Sequence, residues 1–134
     1  MKAGNKLKSV SRDGTLQYVG VRNDTRCRVT VEGLPLSPRT DLNLHCAEAY
    51  DWGYFGAAPA QLALAIVAHH CVDNEARALA CYLDFMWHIV ESFPQPGWCL
   101  DSEQIEAVLR RIEINRRNVP ASSAKKEVNQ KPRR

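Results

Sequence analysis

The stretch from Tyr50 to Cys71, YDWGYFGAAPAQLALAIVAHHC, constrains the fold of this chain more than any other part of it. It opens with two aromatic–glycine pairs and continues into an apolar run, Ala57 to Ala68, whose only polar side chain is Gln61. A helix that lacks a polar face has to be buried on nearly all sides. The sequence therefore predicts a central buried helix, entered through a turn rich in aromatic residues.

Two segments that precede this helix alternate between polar and apolar residues. They cover residues 16–22 and 26–32, and the turn-forming pair Asn23-Asp24 lies between them. A period of two on both sides of a turn predicts a β-hairpin with one buried face, which would carry Cys27, Val29 and Val31. An uncovered hairpin edge recruits partners, so we expect either a short third strand at residues 34–36 or a homodimer.

A second helix is predicted to follow, with Asp73 as its N-cap and its end near Phe93, because Pro94 stops it. Apolar residues recur in this segment at helical spacing, which is typical of a face that packs on a core. The predicted core face consists of Ala76, Leu79, Ala80, Leu83, Met86, Trp87 and Val90.

A third helix is predicted after Asp101, because Gln104 follows three residues later as in a capping box. Its apolar positions, from Ile105 to Ile112, keep helical spacing and fade near Asn115. The predicted fold is therefore α+β: an N-terminal β-hairpin, with a third short strand as one option, packed on a three-helix bundle.

Length and charge divide the chain of 134 residues into three parts. We expect a basic, disordered arm at residues 1–14, one globular domain at 15–115 and a basic, disordered tail at 116–134. Residues 14–115 carry 7 basic and 13 acidic side chains, whereas residues 116–134 carry 7 basic and 1 acidic. The net charge of +3 is therefore the sum of an acidic domain, with net charge −6, and two basic ends.

The sequence contains little evidence of a catalytic or metal-binding site. Five cysteines without paired spacing are typical of free thiols in a cytoplasmic protein, and no hydrophobic leader or membrane-length apolar run is present. The cluster His69-His70-Cys71 lacks the usual spacing of zinc ligands, so we expect no metal and no cofactor. A metal or thiol hydrolase is kept as a weaker alternative to a protein that is not an enzyme.

Several motifs resemble one family of proteins. They are VEGLPL at 31–36, RTDL at 39–42, WGYFG at 52–56, PAQLALAI at 59–66, FMW at 85–87 and WCL at 98–100. With them the chain resembles a small uncharacterised family, a domain of unknown function in bacterial, phage and integrative-element proteins. The resemblance implies a mobile-element context, and it implies no reaction and no site residues.

The acidic domain and this context together suggest a function. We expect a non-enzymatic interaction protein of a phage or mobile element, a candidate anti-defence protein of the anti-CRISPR type, that blocks a host immune complex through an acidic surface. The candidate binding residues are Glu48, Asp51, Trp52, Tyr54, Asp84 and Glu91. The alternative is a nucleic-acid-associated accessory factor that binds through its basic tails. The partner would be a host protein or nucleoprotein complex and not a membrane, and the chain itself would be a monomer or a homodimer.

Overall fold

The structure, a computed structural model, describes residues 14–47 and 49–118. In that part the chain forms an antiparallel sheet followed by helices, which confirms the predicted α+β class with its hairpin and three helices. The elements are β1 (Gln17–Asn23), β2 (Arg26–Val31), β3 (Leu34–Pro35), α1 (Ala57–His70), α2 (Glu75–His88), a 3-10 turn (Val90–Ser92), β4 (Gly97–Asp101) and α3 (Ser102–Asn118).

The strands lie in the order β3-β2-β1-β4, and every neighbouring pair is antiparallel. The predicted third strand covers one edge of the hairpin, and β4, which was not predicted, covers the other. Alternate residues such as Tyr18, Val29 and Leu100 point to the helices and are buried. β4 pairs along β1, whereas β3 pairs only with Thr30 and Val31 of β2, so in the described part of the chain the first half of β2 has no strand beside it on that edge.

An aromatic cluster closes the core at the β4 side of the sheet. Gly20 is the register partner of Trp98, and a side chain at Gly20 would overlap the Trp98 indole. The indole stacks on Phe93, with ring centroids 4.2 Å apart, and meets Trp52 edge to face at 5.6 Å. A glycine opposite this tryptophan therefore lets three large rings share one end of the core.

Helix α1 is the buried centre that its sequence predicts, with every residue from Pro59 to Ala68 buried. The single polar side chain of this buried segment, Gln61, is fully hydrogen-bonded to the preceding loop. The amide oxygen accepts from the backbone N–H groups of His45 (2.7 Å) and Cys46 (3.0 Å), and the amide nitrogen donates to the carbonyls of Pro38 (2.7 Å) and Asn43 (3.1 Å). These four bonds offset the cost of burying the amide and hold residues 38–46 against the helix.

The ends of α2 differ from the prediction. Asn74, and not Asp73, is the N-cap, because its side chain accepts a hydrogen bond from the N–H of Arg77 at 3.1 Å. The helix ends at His88, and the chain tightens into the 3-10 turn before it reaches Phe93. Aspartate and asparagine have similar intrinsic preferences for the N-cap position, so the hydrogen bond identifies Asn74 as the cap.

The predicted core face of α2 is mostly wrong. Met86 and Val90 are buried as predicted, but the remaining core positions of the helix are Ala78, Cys81, Tyr82 and Phe85. On the predicted face, Leu79 and Leu83 keep 42% and 45% of their surface exposed, and both alanines are exposed as well. Both sides of this helix are apolar, so helical spacing alone could not select the side that meets α1.

Helix α3 begins as predicted. The N–H of Gln104 donates to the Asp101 carboxylate at 2.8 Å, and the N–H of Asp101 donates to the Gln104 side chain at 2.9 Å, which completes a reciprocal capping box. Ile105, Leu109 and Ile112 are buried. The helix continues to Asn118, beyond its predicted end near residue 115.

The predicted arm and tail fall almost entirely outside the described residues, which include only position 14 of the arm and positions 116–118 of the tail. Among the described helices, none combines the length and the apolar character that crossing a bilayer requires.

Candidate interaction surface

The WGYFG motif begins with two residues that anchor the loop to the core. Trp52 is fully buried, and its ring N–H is within hydrogen-bonding distance of the carbonyls of Pro94 (3.0 Å) and Gln95 (3.1 Å). Gly53 has φ = 91°, which favours glycine, and its N–H donates to the carbonyl of Val90 at 3.1 Å. The prediction of Trp52 as a binding residue is therefore wrong, because a fully buried indole cannot touch a partner.

The next two residues of the motif point outward. Tyr54 and Phe55 keep 44% and 45% of their surface exposed. The Tyr54 hydroxyl donates to the Asp51 carboxylate at 3.1 Å, and the Phe55 ring lies 3.6 Å from the Trp87 ring between centroids. The rigid first half of the motif thus presents two aromatic side chains at a defined place on the surface.

Asp51 organises this loop. Its carboxylate forms an ion pair with Arg22 at 2.6 Å and accepts from the N–H of Trp52 at 2.8 Å and from Tyr54. Partial burial acts to raise the pKa of Asp51, but the bonds from Arg22, Trp52 and Tyr54 outweigh it and leave the pKa lowered. The guanidinium of Arg22 also lies 5.2 Å from the centre of the Trp52 ring. The carboxylate is therefore ionised and held in place at neutral pH.

Glu91 lies close to the same loop. It follows Val90, whose carbonyl accepts the N–H of Gly53, and it is half-buried in the 3-10 turn. Of the predicted binding residues, Tyr54 thus belongs to the exposed aromatic pair, Asp51 bonds to it, and Glu91 follows the residue that bonds to Gly53. We define the loop patch as Asp51, Tyr54, Phe55 and Glu91.

Asp84, a further predicted residue, does not join this patch. Asp84 lies on the flank of α2 that meets α3, where it forms an ion pair with Arg116 at 2.8 Å. Glu48 lies outside the described residues. Among the described candidates, Asp84 therefore lies apart from Asp51 and Glu91, and Asp51 and Asp84 are each paired with an arginine within the chain.

A second apolar area borders the loop patch. Phe55 and Trp87 line a groove between the first turn of α1 and the second half of α2, together with buried Ala60 and Met86. Exposed Leu83 lies on the rim of this groove. Phe55 and Leu83 are candidate contact residues that sequence reasoning missed: the first was not considered, and the second was assigned to the core.

A charged cluster fastens the three helices together on another side of the molecule. Glu106 of α3 binds Arg77 of α2 at 3.1 Å, His70 of α1 at 2.7 Å and Arg110 at 2.8 Å, while Arg77 also binds Glu113 at 2.8 Å. Hydrogen bonds from Arg77 are the main reason that the pKa of Glu106 falls to about 2. The cluster is therefore structural, since it links helices by side chains that already have partners.

This lowered pKa has a consequence for stability. Because the folded state favours ionised Glu106, the stabilisation is present above the ordinary pKa of 4.5 and is lost as the pH falls towards 2. Urea unfolding of Glu106→Gln should give a protein that is less stable than the wild type at pH 7, with a difference that narrows between pH 4.5 and 2. The exposed Glu103→Gln variant on the same helix is the control. An equal difference at pH 7 and pH 2.5 would contradict the linkage.

The residues considered for metal or thiol chemistry have separate structural partners. His45 bonds to the Tyr82 hydroxyl at 2.6 Å, and His69 bonds to the Tyr18 hydroxyl at 2.7 Å. All five cysteines are free; Cys71 and Cys81 are buried, and burial raises the pKa of both thiols. In the described part of the chain, no three metal-ligating side chains come together.

A comparison with known families matches residues 18–111, from β1 into α3, to the family of unknown function DUF6166. The chain belongs to this family. The match confirms the resemblance to an uncharacterised domain family, and the phage or mobile-element context stays a prediction. No curated protein and no solved structure matches the chain.

The match of the DUF6166 domain includes both the loop patch and the whole of α2. The surface described above therefore lies within the family domain, and not in an addition to it.

Proposed function

We propose that this chain is a non-enzymatic interaction protein of a phage or mobile element, and that it inhibits a host immune complex by binding a basic protein surface through the loop patch. The observation that supports this proposal is the division of the WGYFG motif. Trp52 and Gly53 fix the loop, whereas Tyr54 and Phe55 remain about half exposed, and Tyr54 lies beside the Asp51 carboxylate. A rigid loop presents aromatic side chains with little loss of conformational entropy on binding.

The chemistry of the loop patch matches a basic partner. Tyrosine and phenylalanine are enriched in the centres of protein interfaces, where they contribute much of the binding energy. Glu91 adds negative charge close to the loop, whereas Asp51 is paired with Arg22 and accepts the hydrogen bond that holds Tyr54 in place. The surplus of acidic residues in the domain would attract a basic surface at long range, and salt would weaken this attraction.

A plaque assay on a host with an active immune complex tests the proposal directly. We expect the wild-type protein to restore phage growth and the Tyr54→Ser/Glu91→Lys variant to lose most of this effect. The loss of one aromatic hot spot costs about 2 kcal/mol, or roughly 30-fold in affinity. The control is Leu34→Ser, which changes an equally apolar, 68% exposed residue on the edge strand β3.

Truncation of the basic C-terminal end tests the alternative function, which is nucleic-acid binding through the tails. Removal of residues 119–134 leaves all described elements in place, so inhibition should persist in the truncated protein. Truncation could instead abolish both inhibition and the mobility shift of DNA or RNA, while the loop-patch variant behaves as the wild type. That result would contradict the proposal and favour the accessory factor that binds nucleic acid through its tails.

A further inference from the structure

Two adjacent histidines at the end of α1 bond to different parts of the fold. The Nδ1 atom of His69 lies 2.7 Å from the hydroxyl of Tyr18 in β1, and the two rings meet edge to face with their centroids 5.4 Å apart. The Nε2 atom of His70 lies 2.7 Å from the carboxylate of Glu106 in α3. The last turn of α1 is therefore bonded to the sheet by one histidine and to α3 by the other.

The proton in the Tyr18–His69 bond belongs to the tyrosine. Tyr18 is fully buried, and this burial raises the pKa of its hydroxyl above the usual value, so the hydroxyl keeps its proton and donates it to an unprotonated Nδ1. Within the described residues, the hydroxyl has no second hydrogen-bond partner. A proton added to Nδ1 would therefore remove the acceptor of a buried donor, which is costly.

We propose that the Tyr18–His69 bond is an acid-sensitive contact between the sheet and α1, which opens when His69 takes up a proton, while the bond between His70 and Glu106 keeps α1 attached to α3. This inference goes beyond the proposed function, which depends on the loop patch. It rests on the opposite chemistry of the two histidine partners, because a neutral hydroxyl donates to one ring and a carboxylate accepts from the other.

The surroundings of His69 offer no compensation for a positive charge. In the part of the chain that the structure describes, no carboxylate forms an ion pair with His69, and Glu32 already accepts the N–H of Gln17 at 2.7 Å. Burial and the neighbouring His70 both lower the pKa of His69. The titratable and charged groups around the contact come from the sheet and from the helices: Glu32 after β2, His70 and Cys71 at the end of α1, Arg77 of α2 and Glu106 of α3.

The surroundings of His70 are different. A proton on His70 faces the carboxylate of Glu106, with which an imidazolium forms a charge-assisted hydrogen bond. Hydrogen bonds from Arg77 are the main reason that the pKa of Glu106 is about 2, so this carboxylate stays ionised in mild acid. Acid therefore weakens the attachment of α1 to the sheet and preserves its attachment to α3.

The direction of the His69 shift defines the pH range of this change. Because the folded state disfavours protonated His69, the contact is fully present above the ordinary pKa of 6.5 and is lost as the pH falls below it. The linkage at Glu106 begins only below 4.5. A comparison of about pH 7.5 with about pH 5.5 therefore reports on histidines and leaves Glu106 ionised.

Amide hydrogen exchange of the full chain at these two pH values tests the proposal. The reporter is the N–H of Cys71, which bonds to the carbonyl of Val67 at 2.8 Å in the last turn of α1. After correction for the intrinsic effect of pH on exchange, its protection should fall roughly five- to tenfold at the lower pH, because the contact that holds this turn to the sheet has opened. The amide of Leu109 in α3 should keep its protection.

Three variants show whether this response comes from His69. His69→Asn replaces Nδ1 by a neutral acceptor that cannot take up a proton, so its Cys71 amide should be equally protected at both pH values. Tyr18→Phe removes the donor and should show the low protection at pH 7.5 already. The matched control is Tyr82→Phe, which removes the other buried hydroxyl that bonds to a histidine, His45, and should respond to pH as the wild type does.

Two results would overturn the proposal. One is a wild-type Cys71 amide whose protection is the same at both pH values, and the other is a His69→Asn variant that keeps the full wild-type response. Circular dichroism at each pH shows that the fold as a whole is intact. The test with His69→Asn remains decisive even where Tyr18→Phe fails to fold, since His69 is exposed and its replacement leaves the core unchanged.

Discussion

Phe85→Ala is expected to lower the free energy of unfolding by about 3–5 kcal/mol, whereas Leu83→Ala, two residues away on the same helix, should change it by less than about 1 kcal/mol. Phe85 is fully buried, so its truncation leaves a cavity in the core, while Leu83 keeps 45% of its surface in water. The contrast between the two variants tests which side of α2 meets the core, and helical spacing alone had favoured Leu83.

Urea or thermal unfolding of both variants, monitored by circular dichroism, gives the two free energies. Measurements at low micromolar concentration and again at about 50 µM separate the contribution of the single chain from that of any self-association, because a dimer is stabilised by concentration. A larger loss for Leu83→Ala than for Phe85→Ala at the low concentration would mean that the orientation of α2 is wrong.

The second large effect is expected at Gln61, where replacement by leucine should destabilise the fold by about 3 kcal/mol or more. The substitution keeps the helix and its volume but leaves two backbone N–H groups and two carbonyls of the preceding loop without their partner. Each buried polar group that loses its hydrogen bond costs about 1–3 kcal/mol, although water can recover part of this where the loop opens.

Chemical unfolding measures the loss of stability. Limited proteolysis locates the part of the chain that loosens, and we expect the first cleavage within residues 38–46. Gln104→Leu is the matched control: it makes the same chemical change but removes one exposed cap hydrogen bond, and it should cost about 1 kcal/mol or less. Equal stabilities of the two variants would show that Gln61 does not hold the loop.

Several elements could be predicted because their signals are local. The hairpin follows from alternation on both sides of Asn23-Asp24, and α1 follows from an apolar run that contains only one polar residue. The start of α3 follows from a side chain and a backbone group three residues apart, Asp101 and Gln104. In each case the residues that define the element are close in sequence, so the chain needs no distant partner to specify it.

The candidate site was predicted only in part. The WGYFG motif marked the loop at residues 50–56 as a candidate binding region. Asp51 and Tyr54 do lie in this loop, and Glu91 follows the residue that bonds to it. The sequence did not separate buried Trp52 from exposed Tyr54 and Phe55, because the direction of the Trp52 ring depends on hydrogen bonds to Pro94 and Gln95, about forty positions away. Asp84 was assigned to an acidic surface, and its pairing with Arg116 depends on how α3 crosses α2.

The sequence by itself determined the two hairpin strands and the three helices, since period, capping and apolar content act over a few neighbouring residues. Only the tertiary structure decided which face of α2 enters the core and that residues 97–101 become a strand. Both sides of α2 are apolar, and the difference between them is that Phe85, not Leu83, faces the buried α1. The short segment around Trp98 becomes β4 because Gly20 of β1 leaves room for the indole. These choices depend on shape complementarity between distant segments, which local pattern does not encode.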